Sequence, residues 1–94
     1  MTEVVWLTRA THSLDAILAH IAEDNPAAAK RLAVAILEQV ELLATQPHMG
    51  RAGRVLGTRE LVVHENYILP YRLHQKRIEI LAVQHAKQRW PSRL

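Results

Sequence analysis

The residues best suited to chemistry sit in one stretch, Gly50-Arg51-Ala52-Gly53-Arg54-Val55-Leu56-Gly57-Thr58-Arg59-Glu60, which holds all three glycines of the chain. Arginine's planar fork bonds phosphate or carboxylate bidentately, and glycine lets the backbone approach a ligand closely. The spacing is not that of a phosphate loop: no Gly-Lys-Ser/Thr occurs, and the glycines do not open a helix. Arg51, Arg54 and Arg59 therefore read as a basic contact surface, or else as solvated arginines around a tight turn. A second constellation is His85 with Arg72 and Arg89. A histidine ending a strand beside arginines could act as a general acid or base next to a phosphate, or it could be a half-buried polar strand end.

Other chemistries find little support. His12 and His20 lie eight apart with no third ligand at metal spacing, so no metal site is expected. The absence of cysteine rules out disulfides and thiol nucleophiles, and there is no Gly-x-Ser-x-Gly elbow. Two Trp, two Tyr and no Phe disfavour an RNA-binding sheet that works by base stacking. Trp6 and Trp90 read first as packing residues.

The elements that must position these groups follow from periodicity. Glu3-Val4-Val5-Trp6-Leu7 has strand character. Thr8 is expected to cap a helix from about 9 to 23, whose apolar stripe is Leu14, Ile17, Leu18 and Ile21. Asn25-Pro26 ends that helix and starts another, since Asn caps well and Pro suits the first helical position. The second helix runs to about Gln46, where Pro47 stops it. Its stripe is Ala29, Leu32, Ala33, Ile36, Val40 and Leu43, widened by Leu37 and Ala44. So short a connection makes an antiparallel helical hairpin.

After the glycine-bearing stretch come three strands, 58–64, 67–73 and 77–85, joined by turns at His64-Glu65-Asn66 and His74-Gln75-Lys76. Pro70 cannot donate to a ladder, which implies a bulge or an edge position. The last strand is apolar on both sides over part of its length, so it should be central. The expected fold is α+β, in the order β-α-α-β-β-β. The helical hairpin packs on one face of a small, mostly antiparallel sheet, leaving the opposite face, rimmed by the loop, for function.

Residues 1–94 are enough for one domain. Residues 1–47 carry three basic against six acidic side chains, net −3, whereas residues 48–94 carry nine against three, net +6. That asymmetry favours an anionic partner for the second half, nucleic acid or an acidic protein segment. No apolar run approaches the roughly 20 residues of a membrane span, and no secretory signal is visible. A cytoplasmic protein without membrane contact is expected.

Several segments together resemble the RelE/ParE family of bacterial type II toxins. They are Asp24-Asn25-Pro26-Ala27-Ala28-Ala29; Pro47 with Gly50-Arg51, Gly53-Arg54 and Gly57-Thr58-Arg59-Glu60-Leu61-Val62-Val63; Tyr67 with Pro70-Tyr71-Arg72; Ile80-Leu81-Ala82-Val83-Gln84-His85; and Trp90-Pro91. The likeness runs from Trp6 to Pro91. It implies a toxin neutralised by a cognate antitoxin, whose acidic tail would dock on the basic face and beside the helical hairpin, with oligomers built through the complex.

Two mechanisms are implied by the resemblance. In the ParE-like branch, associated with plasmid stabilisation, the toxin poisons DNA gyrase by binding it. Here the contacts would be Arg51, Arg54, Arg59, Arg72, His85, Arg89 and Trp90. In the RelE-like branch, a metal-independent endoribonuclease cuts mRNA on the ribosome, with His85, Arg72, Arg59, Arg54 and Glu60 as the corresponding groups. The chain departs from the cutting branch: Ile68 stands where the nucleases usually carry arginine, and no tyrosine follows the last strand. The ParE-like branch is thus the closer one, with inhibition by binding rather than catalysis, and no cofactor is expected.

Overall fold

The computed structural model describes residues 2–87. Strand β1 (Glu3–Trp6) leads into helices α1 (Thr8–Asp24) and α2 (Pro26–Thr45). Strands β2 (Arg51–Ala52), β3 (Arg59–His64), β4 (Tyr67–His74), β5 (Arg77–Ile80) and β6 (Gln84–His85) complete the described chain.

The junction between the helices forms as its sequence dictates. The Asn25 side chain accepts a hydrogen bond from the Ala28 backbone N–H at 3.0 Å, and Pro26 occupies the first turn. Thr8 does not cap α1. Leu7 holds that position without a side-chain bond, and Thr8 is already helical. The Leu7 N–H instead donates to Ile80 O at 3.1 Å, so the sheet fixes the helix entry.

The strands form one sheet in the order β1-β5-β4-β3-β2, with β6 also pairing β4. β1 runs parallel to β5, and the other pairings are antiparallel. Ala10 of α1 and Leu32, Ile36, Val40 and Leu43 of α2 pack with Leu61, Val63, Leu69, Tyr71, Ile78, Ile80 and Val83 in one core. The stripe of α1 is only partly buried against this core. Leu37 does not join it. It is 55% exposed, because α2 turns it to the outer side with Val34.

The expected last strand, 77–85, is broken. β5 ends at Ile80, and pairing with β4 resumes at Gln84 and His85, opposite Ile68 and Tyr67. Pro70 explains the gap. It lies on β4 with no N–H to offer, and its carbonyl accepts from Leu81 N at 2.9 Å. The Val83 N–H is taken by Ser13 Oγ of α1 at 2.9 Å, so a side chain replaces a ladder partner there. Pro70 is therefore neither at a sheet edge nor in a bulge of its own strand; the irregularity lies in the facing segment between Ile80 and Gln84. A register shift does occur on the other side, between Val62 and His64 of β3.

Candidate functional site

Glu60 organises the arginine loop. Leu61 and Val63 of β3 enter the core, so strand alternation sends Glu60 to the opposite face, across from Pro70. Only 1% of its side chain is exposed. Arg51 donates from Nε and Nη2 to Glu60 Oε1 at 3.2 and 3.0 Å. The backbone N–H of Arg54 donates to Oε2 at 3.0 Å, and Arg54 Nε stands 3.8 Å from the same oxygen. A buried carboxylate is costly unless paired and hydrogen-bonded, and here the loop meets that need.

Beyond Arg54 the loop closes on itself. Gly53 N–H donates to Thr58 O at 2.9 Å, and Thr58 N–H to Val55 O at 3.1 Å. The Thr58 hydroxyl also reaches Val55 O, at 2.6 Å. The second bond closes a four-residue turn in which Gly57 has φ +84°, the left-handed conformation that a type II turn requires at its third position. Leu56 occupies the turn's second position and is fully exposed.

From below, Tyr71 ties the loop to the core. Its hydroxyl donates to Pro47 O at 2.8 Å and accepts from Gly50 N–H at 3.0 Å. A Cβ on Gly50 would lie 2.7 Å from the tyrosine ring, so glycine is what permits the approach. Burial raises the Tyr71 phenol above its ordinary 10.0, against the opposing pull of the Gly50 N–H and the Arg59 charge. Arg59 donates from Nη1 to Gly50 O at 2.8 Å and His48 O at 3.2 Å. Two of its hydrogen bonds thus hold backbone.

The grouping of His85 with Arg72 does not form. His85 pairs with Tyr67 at one end of β4, while Arg72 lies five positions along the same strand, roughly 16 Å away at the usual strand rise. Arg72 Nε instead donates to Glu79 Oε1 at 2.6 Å, and Arg77 Nη2 to Glu79 Oε2 at 2.9 Å. The Arg72 hydrogen bond is the main cause holding the Glu79 carboxyl below its ordinary 4.5, with Arg77 adding to it and burial opposing. What does approach His85 is Arg54, whose Nη2 donates to Ala86 O at 3.2 Å. The His85 ring meets Tyr67 edge-on, with centroids 5.4 Å apart, and His64 flanks the other side of Tyr67 at 5.9 Å. His85 Nδ1 accepts from Lys87 N–H at 3.1 Å.

Arg89 and Trp90 lie outside the described residues. Among the described residues, no group of three His, Cys, Asp or Glu is arranged to hold a metal, and no helix is long and apolar enough to cross a membrane. Sequence reasoning missed Glu79 and Leu56. The first was signalled by its placement between the inward-facing Ile78 and Ile80, and the second by its place before the turn glycine.

The family model described as ParE toxin of type II toxin-antitoxin system, parDE, matches residues 4–90. The chain belongs to this ParE toxin family. A relative from Sinorhizobium fredii, named "Putative toxin Y4kP", is 47% identical over 87 residues, which cover 92% of this chain and 90% of the relative. "Toxin RelE2" of Caulobacter vibrioides is 35% identical over 86 residues, covering 92% and 97%. A solved structure described as a chromosomal ParDE TA system from P. aeruginosa superposes with a TM-score of 0.81 at 30% identity, covering 93% of this chain and 98% of that one. The expected fold and family are both upheld: two helices on a mixed sheet, in a toxin of a type II system. As a ParE toxin, the chain has an antitoxin for its partner.

Proposed function

We propose that this ParE toxin arrests growth by binding and poisoning DNA gyrase, without catalysing a reaction of its own. The observation that carries the reading is the dispersal of the groups a phosphate-cutting site would need. Arg72 is paired to Glu79 far along β4 from His85, and both oxygens of Glu60 are engaged by the loop. What remains together is a rigid, arginine-flanked loop, a surface suited to contact rather than to proton transfer. The decisive test is a supercoiling assay with purified, antitoxin-free protein. Inhibition with accumulation of cleaved DNA is the expected result. A preparation that stops growth in cells but leaves gyrase untouched at micromolar concentration sinks the reading.

The alternative, a ribosome-dependent mRNA endoribonuclease, draws on one place in the fold. Arg54 reaches the carbonyl beside His85, and Lys87 N–H occupies His85 Nδ1, leaving Nε2 as the nitrogen for a substrate. On that reading His85→Ala lowers mRNA cleavage by orders of magnitude while binding persists. On the gyrase reading the same change acts only as one contact among several. The antitoxin is taken to approach with an acidic segment, its complex weakening as salt rises.

A further inference from the structure

We infer that Leu56 is the anchor by which this toxin engages its target, inserted into an apolar pocket rimmed by carboxylates on a protein partner. The inference rests on the reading that the toxin acts by binding a protein. Single apolar side chains on a surface are ordinary, so exposure alone would mean little. Leu56, however, is fully exposed at the tip of a turn whose shape is fixed several times over. Thr58 holds Val55 O through both its N–H and its hydroxyl, Gly53 N–H closes the base on Thr58 O, and Gly57 supplies the left-handed residue. Glu60 then pins the entry of the loop through Arg51 and the Arg54 N–H.

The fold therefore fixes the backbone under Leu56, so that binding has only the side chain left to order. Its neighbours in the chain set the charge that the pocket must meet. Arg51 and Arg54, with 56% and 44% of their side chains exposed, precede it in the loop. An apolar side chain carried on a basic loop suits a protein pocket that joins an apolar centre to acidic residues. A nucleic acid backbone would use the arginines and have no use for the leucine.

The test compares Leu56→Ala and Leu56→Met in two assays, half-inhibition of gyrase supercoiling and growth arrest on induction. Antitoxin affinity and melting temperature are measured on the same proteins. Leu56→Ala should raise the half-inhibitory concentration at least about tenfold, the loss typical of an anchor residue. Leu56→Met, which keeps an apolar side chain of similar volume, should stay within about threefold. Melting temperature should not change, and antitoxin affinity should fall less than potency. Wild-type potency of Leu56→Ala in both assays overturns the inference and leaves gyrase poisoning standing. If the wild-type protein arrests growth but spares gyrase, the gyrase reading falls, and loss of arrest in Leu56→Ala still upholds the anchor. Loss of antitoxin affinity with toxicity intact overturns it by assigning Leu56 to the other interface.

Discussion

Glu60 and Glu79 are near-identical in chemistry and opposite in consequence. Both are buried carboxylates on the sheet face away from the helices, and each is paired with two arginines. The partners of Glu79 come from strands that the ladder already holds: Arg72 directly across on β4, and Arg77 at the start of the same strand. That cluster adds to strands that the ladder already aligns. The partners of Glu60 come from the loop, and they include a backbone N–H of Arg54. One carboxylate decorates a sheet. The other gives a loop its shape, and whatever the loop contacts depends on it.

Glu60→Ala should have the largest effect. It removes three hydrogen bonds to a charged acceptor, while the two half-exposed guanidinium groups can return to water. The expected loss is about 2–3 kcal/mol in urea unfolding, accompanied by weaker growth arrest. Glu79→Ala should cost less and leave arrest unchanged, because its partners are side chains on strands held by the ladder and no loop backbone bonds to it. Equal losses of toxicity in the two variants would end the distinction.

Much of this architecture is legible in the chain, for identifiable reasons. The Asn25-Pro26 junction, the α2 stripe apart from Leu37 and the stop at Pro47 are local signals, and each is realised where it is written. The break after Ile80 is not local. The run from Ile78 to Val83 reads as one strand, and it is divided where Pro70 of a neighbouring strand offers no N–H and Ser13 of α1 takes the Val83 N–H. Arg72 and His85 illustrate the same limit: separate strands do not reveal their register, and the ladder sets His85 beside Tyr67, five residues along β4 from Arg72. The arginines of the loop announce charge. That Glu60 engages Arg51 and Arg54, and that Arg59 bonds backbone carbonyls, depends on which way β3 faces.

Tyr71→Phe probes the loop from below and should rank second. The phenol is itself fully buried and links Pro47 O to the buried Gly50 N–H, so its loss strands a buried donor and frees a partly buried acceptor. A cost of about 1–2 kcal/mol is expected, read as a lower melting temperature. Toxicity should fall less than in Glu60→Ala, since the carboxylate still fixes Arg51 and Arg54. A larger loss of toxicity in Tyr71→Phe would move control of the loop from Glu60 to the core.

The smallest effect belongs to acid. The carboxyl of Glu79 titrates below its ordinary 4.5 in the fold, chiefly because Arg72 donates to it. A depressed carboxylate contributes stability that is present above the unfolded-state pKa and is lost as pH falls through the folded one. Melting temperature should therefore drop more steeply below pH 4.5 in the wild-type protein than in Arg72→Ala, with the two curves running parallel above it. Arg77→Ala should fall between them, since its contribution to the shift is the smaller. If all three proteins lose stability along the same acid limb, other carboxylates carry the acid sensitivity. Glu79 would then be tied to its arginines in geometry alone.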